Sequence, residues 1–270
     1  MNPAPLAIAD TLALELEFDG EFGAAAAARR HQALLETDPV RSAGWFWLAA
    51  ENYSREWRFD LSNKMLDRAE DTAPDELAVP SSVLRAENAF ASGQFAAAGF
   101  YFESVENSPF ADAYLADYAR RGRAASLLLS WDIDGAAAVF PEGSDEWLAI
   151  RRYKSGSNKS PRIGGFLGLI PGLGYAYSGE YGNALRSLLF NSLFIWGMVE
   201  TAERDQWGAF TLITFFEVTW FYSGSIYGGI DAAHRYNRAR LDNVVNEVRG
   251  DSFPAPDLNA LPIIKLRFEF

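Results

Sequence analysis

Cysteine is absent from the 270 residues, and only two histidines and three methionines occur. Without cysteine there are no disulfides, no thiolate metal sites and no thiol nucleophile. The histidines, His31 and His234, lie far apart in the chain and form no metal-binding constellation, so no metal site is expected. Also missing are a Gly-x-Ser-x-Gly elbow, a Walker loop and a strand-linked Gly-x-Gly-x-x-Gly. These absences assign no catalytic residue, call for no cofactor and point away from an enzyme. They leave cytoplasm and periplasm equally open.

What is present is divided unevenly. Residues 1–150 carry 25 Asp and Glu against 11 Lys and Arg, a net of −14, whereas residues 151–270 carry 11 against 13, a net of +2. An acidic front half disfavours nucleic acid, because phosphate binding needs a concentrated basic surface. The back half is dense in Phe, Trp, Leu, Ile and Gly. The sequence predicts four regions: an acidic helical-repeat domain at 10–150, a basic linker at 151–162, a membrane domain at 163–240 and a C-terminal tail at 241–270.

Within the front half a turn, an aromatic residue and a small residue three positions later recur. They are Gly20-Glu21-Phe22 with Ala25, Trp57-Arg58-Phe59 with Ser62, Gly93-Gln94-Phe95 with Ala98, and Asp132-Ile133 with Ala136. The anchors 22, 59, 95 and 133 are 37, 36 and 38 apart. Pro39, Pro74 and Pro109 close the first three units, where a helix must stop. The pattern resembles the tetratricopeptide repeat, a helix–turn–helix unit whose second helix follows a Gly-x-Tyr-x-x-Ala turn and ends in Asp-Pro. The resemblance covers about residues 10–140 and is best from Gly20 to Asp38-Pro39. It departs in its long period, in Ser62 for alanine and in a fourth unit without the terminal proline.

Such arrays bind partners on the concave face made by their first helices, which the resemblance implies here too. The densest aromatic and polar cluster there is Trp45-Phe46-Trp47 with Asn52 and Tyr53. Three successive aromatics are expected not to share one core, so these five are the candidate partner-binding residues.

Arg151-Arg152-Tyr153-Lys154-Ser155-Gly156-Ser157-Asn158-Lys159-Ser160-Pro161-Arg162 holds five basic residues and no acid. It reads as a flexible segment against an anionic leaflet or between domains. Three apolar stretches follow, Ile163–Tyr177, Ala184–Ala202 and Trp207–Ile230. The second and third, at 19 and 24 residues, have the length to cross a core of roughly 30 Å at about 1.5 Å per residue. The first, broken by Pro171, suits a re-entrant or interfacial segment. Gly164, Gly168 and Gly172, and Gly224 and Gly228, are spaced for close helix contact in lipid, within the chain or in a homo-oligomer.

The run from Ile170 to Gly182 contains Pro171, Gly172, Gly174, Tyr177 and Gly179, and Gly224 to Asn237 follows the hairpin. Together they resemble a bacterial membrane-protein family with a Pro-Gly-x-Gly-x-x-Tyr-x-Gly turn before two membrane helices, often behind tetratricopeptide-like repeats. The resemblance spans 163–240 and implies a small membrane domain and no activity.

Glu217 stands near the middle of the third stretch, where a carboxyl is costly and faces a partner. Its expected neighbours are Asn191 or Ser192, whether as a helix-pairing contact or as an ion, proton or lipid-headgroup site. Basic residues flank the apolar region on both sides, so the charge rule places the repeat domain in the cytoplasm. Ala7-Ile8-Ala9 reads like the end of a signal peptide and would instead place the repeats in the periplasm. The alternating Ile263–Phe270 suggests a docking strand, like the last strand of an outer-membrane barrel.

The expected fold is thus all-α: a helical-repeat domain, then a transmembrane helical hairpin preceded by a re-entrant or interfacial segment. The expected function is a membrane-anchored scaffold that binds a protein partner, with membrane lipid as a second partner. The alternative is a subunit of a channel or transport assembly using the hairpin and Glu217.

Overall fold

A computed structural model describes residues 5–250, and all its elements are helical. The expected strand at 263–270 and most of the expected tail lie outside the described residues. The chain divides into two compact units, one of residues up to Ile150 together with those from Val245 on, the other Arg151–Val244.

The first unit is a row of helix pairs: α1 (Pro5–Phe18) with α2 (Phe22–Leu35), α3 (Pro39–Arg55) with α4 (Phe59–Thr72), α5 (Pro74–Ala91) with α6 (Phe95–Glu106), and α7 (Ala113–Leu129) with the short α8 (Ile133–Ala138). The four anchors Phe22, Phe59, Phe95 and Ile133 are each the first residue of a second helix. One turn makes all four corners. Gly20, Trp57, Gly93 and Trp131 take φ of 78°, 62°, 77° and 66°. The next residue, Glu21, Arg58, Gln94 or Asp132, returns to φ between −83° and −91° and caps the new helix. Its amide donates five residues back, to Leu16, Tyr53, Ala89 or Leu127, at 2.8 to 3.0 Å. This closure satisfies carbonyls that a helix end would leave bare.

The prolines act differently from the sequence expectation. Pro39 and Pro74 are the first residues of α3 and α5, where a missing amide costs nothing. Pro109 lies in the turn before α7, whose N-cap is Asp112, with its carboxylate accepting from the Leu115 amide at 2.7 Å.

Small residues let the helices approach. Ala25, Ser62, Ala98 and Ala136 are all fully buried. Ser62, which breaks the alanine pattern, accepts from Asn88 Nδ2 at 2.8 Å. Asn88 and Asn52 occupy the same place in successive first helices, five residues before Gly93 and Trp57. Asn52 donates to Glu17 at 2.8 Å, and Asn88 accepts from Ser54 at 2.6 Å. Glu17 and Ser54 are themselves equivalent, three residues before Gly20 and Trp57. A polar rung therefore joins α3 to α1 and α5 to α3, whereas Ser126, at the same place in α7, donates within its own helix to Gly122 O at 2.8 Å.

The helix α9 (Asp145–Ser155) carries the chain from the first unit into the second. The second unit then contains α10 (Pro161–Leu167), α11 (Leu173–Tyr177), α12 (Tyr181–Glu203), α13 (Trp207–Phe216), a π-helical segment (Glu217–Tyr222) and α14 (Ser223–Arg249), whose last residues belong to the first unit. The first apolar stretch is two short helices around Pro171, and the second and third form an antiparallel hairpin. The tight turn between them falls at Arg204–Gln206. There Asp205 has φ 53°, and Gln206 donates to Thr201 O at 2.9 Å. The same closure stands at Gly179-Glu180-Tyr181, where Glu180 donates to Tyr175 O at 3.0 Å. The corner of the repeat array is thus used twice more. Among the described residues, no helix is long and apolar enough to cross a membrane.

Two boundary readings change. The basic stretch from Arg151 is not a loose tether: it continues α9 to Ser155, and its end is pinned to α14. Residues 241–249, read as the start of a loop-like tail, are the last turns of α14, with Leu241, Val244, Val245 and Val248 buried.

Candidate functional site

The predicted partner-binding cluster is core. Trp47 and Asn52 are 1% and 2% exposed, Phe46 and Tyr53 are buried, and Trp45 packs half-buried against the same cluster. Three successive aromatics share one interior because α3 is covered by α2, α4 and α5 together, leaving little of its circumference to water. Large apolar side chains that the array does expose are elsewhere, among them Phe18, Trp57, Phe100, Phe110 and Trp131.

In the second unit the usual polarity is inverted. Leu188, Leu189, Leu193, Trp196, Phe215, Val218 and Trp220 are all exposed, while Asn191, Glu217 and Ser225 are 1%, 3% and 1% exposed. Side chains of α12 meet α13 and the π-helical segment across the hairpin. Toward the turn, Thr214 Oγ1 meets Met198 Sδ at 3.1 Å. Toward the base, Phe221 packs on Phe194 at 4.3 Å and on Phe190 at 5.8 Å between ring centroids. Glu217 lies between Thr214 and Phe221, the residues that meet Met198 and Phe194 of α12.

The expected pairing of Glu217 with Asn191 or Ser192 is not made. Ser192 is exposed, and the Asn191 amide donates to Ser187 O at 2.7 Å. Both Glu217 carboxylate oxygens, Asn191 Oδ1 and Ser187 Oγ are buried with no hydrogen-bond partner. Glu217 also opens the π-helical segment, a widened turn common where a helix is adapted to a task. No group of His, Cys, Asp and Glu suited to a metal ion occurs among the described residues.

The predicted turn residues build the base of this unit. Gly172 has φ 86°, and its amide lies 3.3 Å from Ser225 Oγ. Gly174 packs so closely that a Cβ would come within 2.5 Å of Gly164 O and 2.8 Å of Gly229 Cα. A Cβ on Gly168 would meet Ser225 O at 2.6 Å. These glycines let α10 and α11 touch α14 backbone to backbone, so they are used within the chain. Gly224 faces open space, and Gly228 packs against Tyr175 instead. Pro171 starts the turn, and Gly179, at φ 83°, ends α11.

Tyr177 has a further role. Its hydroxyl accepts from the Ser160 amide at 3.1 Å, and its ring lies 4.7 Å from Lys159 Nζ. Tyr236 on α14 lies on the ammonium at 5.5 Å. Asn237 accepts from the Lys159 amide at 2.7 Å and donates to its carbonyl at 2.8 Å. The residues entering and leaving the apolar region are therefore held side by side. Beside them Arg235 makes two hydrogen bonds to Glu180 at 2.8 and 2.9 Å, which hold that carboxyl below the usual carboxylate range.

Sequence reasoning missed a cluster in the first unit. Arg249 makes two hydrogen bonds of 2.7 Å to Glu87 and lies 4.3 Å over the Phe90 ring, while Tyr118 donates its hydroxyl to the same Glu87. Residues 87 and 249 are 162 apart, and no local pattern relates them. No family model, curated protein or solved structure matches this chain.

Proposed function

We propose that this chain is a membrane-anchored scaffold of the bacterial cell envelope, whose tetratricopeptide-like array holds a protein partner. The observation that carries the anchoring is the inverted polarity of the second unit. A water-soluble domain hides its Leu, Phe and Trp and shows its polar groups, whereas this hairpin turns them outward around Asn191 and Glu217. Lipid is the solvent that accepts such an exterior.

Anchoring on this reading comes from the outer surface of the packed hairpin rather than from the hydropathy of any one helix. The side-by-side placement of Lys159 and Asn237 supports both flanks lying on one side of the bilayer, with aromatic and basic residues at the interface. The charge rule makes that side the cytoplasm.

The array contributes a stiff row of helices joined by the polar rungs. Its exposed aromatics, not the buried Trp45–Tyr53 cluster, are the surface for a partner. Flotation of the full chain with phosphatidylcholine and phosphatidylglycerol vesicles tests the anchoring. The expected result is recovery with the lipid, resistant to high salt. A protein that stays at the bottom of the gradient and is monodisperse without detergent would sink this reading.

A further inference from the structure

We infer that the open face of α1, made by Thr11, Leu14, Glu15 and Phe18, docks one amphipathic helix of a protein partner that brings basic residues to Glu15 and Asp19. The inference rests on the reading of the array as a partner surface and does not need the membrane anchor.

The register of the array points to this face. Counted back from the left-handed corner residue, Glu15 stands where Asn52, Asn88 and Ser126 stand in α3, α5 and α7, and Thr11 where Leu48, Leu84 and Gly122 stand. All six of those residues are buried. What covers them is the preceding helix pair: Leu84 shares a core with Met65, Leu66 and Ala69 of α4, Leu48 shares it with Ala26 and Ala33 of α2, and Asn52 donates back to Glu17 on α1. On α1 both positions are exposed, and with Leu14, Asp19 and Phe18, itself 91% exposed, they line an open depression of about 320 Å³. The face that each later first helix lays against its predecessor is therefore uncovered here among the described residues. A repeat that ends an array without a neighbour turns a polar face outward, whereas α1 exposes Leu12, Leu14 and Phe18.

Charge selects the occupant. Residues 11–19 hold Glu15, Glu17 and Asp19 and no basic residue. Glu17 is taken up by Arg29 and Asn52, which leaves Glu15 and Asp19 unpaired among the described residues. Where later repeats place Asn or Ser, this face places a carboxylate. A neutral neighbour would bury that charge at a cost, whereas Lys or Arg offsets it with a charge-assisted hydrogen bond. A second copy docked about a twofold axis would set Glu15 and Asp19 against the same two residues, like charge on like. The occupant is thus a different chain, basic where it meets Glu15 and apolar where it meets Leu14 and Phe18. It is a helix, because helices fill the equivalent place in the other repeats.

A charge swap tests this on the full chain in non-ionic detergent, with protein-free micelles as the blank. The probe is a fluorescent, stapled helical peptide with Leu along one face and Lys beside it, and its counterpart carries Glu in place of Lys. The Lys peptide is expected to bind the native chain about tenfold or more tightly than Glu15→Lys, and the Glu peptide to show the reverse preference. Phe18→Ser should weaken both while circular dichroism stays unchanged. A benzophenone on Leu14→Cys, in a chain without native cysteine, should crosslink to the Lys peptide. Crosslinks to the chain's own residues 251–270, or to a second copy in a dimer that Phe18→Ser dissolves, would give the face another occupant and overturn the inference. Equal binding to the native chain and Glu15→Lys, or no binding of either peptide, would overturn it too. Binding that Trp131→Gly weakens and Glu15→Lys leaves unchanged would keep the array as a partner surface and reject this site alone. Failure of the full chain to float with lipid would touch the anchor and not this face.

Discussion

Both carboxylate oxygens of Glu87 on α5 lie 2.7 Å from Arg249, the last residue of α14, and the Tyr118 hydroxyl donates to the same carboxylate. Less than a third of either charged side chain is exposed. Burial, then the neighbouring Glu87, pushes the Tyr118 phenol far above its usual range. A raised phenol pKa contributes stability that is fully present below the unfolded value of 10.0 and is lost as pH rises beyond it. Urea unfolding should therefore show a steeper loss between about pH 9 and 11 for the native chain than for Tyr118→Phe. Equal slopes would mean that Tyr118 ionises freely. Glu87→Gln should cost about 1–3 kcal/mol at neutral pH, because it leaves Arg249 without its charged acceptor.

Ser62 offers a test in which the repeat pattern and the structure disagree. The pattern favours alanine there, so Ser62→Ala would be neutral or stabilising. The structure has Asn88 Nδ2 donating to the Ser62 hydroxyl in a fully buried rung. Ser62→Ala should destabilise by about 1–2 kcal/mol, with a double-mutant cycle against Asn88→Ala showing coupling. Additive effects would remove the rung from the account of stability.

Trp131 sits at φ 66° with most of its side chain in solvent. A bulky residue in that region costs about 1–2 kcal/mol relative to glycine, which stands at the same corner in two other repeats. Trp131→Gly should raise stability by about 1 kcal/mol in chemical denaturation. If the exposed indole belongs to the partner surface, the same variant should bind less well while folding better.

The glycines of the second unit divide by what surrounds them. Gly174→Ala places a methyl against backbone atoms that cannot move aside and should destabilise by more than about 2 kcal/mol, read in chemical denaturation. Gly182→Ala meets open space in α12 and should be neutral or stabilising by up to about 1 kcal/mol. Equal effects at both positions would contradict the backbone-to-backbone seam.

Topology can be read by cysteine labelling, since the native chain has no cysteine background. Single cysteines at Ser157 and Gln206 should label from opposite sides of sealed vesicles, if the hairpin crosses. Labelling of both from one side would leave the hairpin lying in one leaflet.

What the residues determined by themselves is local. The spacing of Phe22, Phe59, Phe95 and Ile133 places the corners because each corner needs one left-handed residue and one residue with φ between −83° and −91° before the next helix. The break at Pro171 and the turn near Asp205 follow from the same local rules, and so does the split between an acidic front and an apolar back. Tertiary structure decided which faces are inside. Phe46, Trp47 and Asn52 stood out as a surface cluster because helical periodicity assumes one buried face, whereas α3 is enclosed on several. Glu217 was legible as a costly carboxyl, but the burial of Asn191 and the exposure of Ser192 depend on how α12 lies against the π-helical segment. Glu87 and Arg249 were invisible in one dimension, because only the folded chain brings those two charges together.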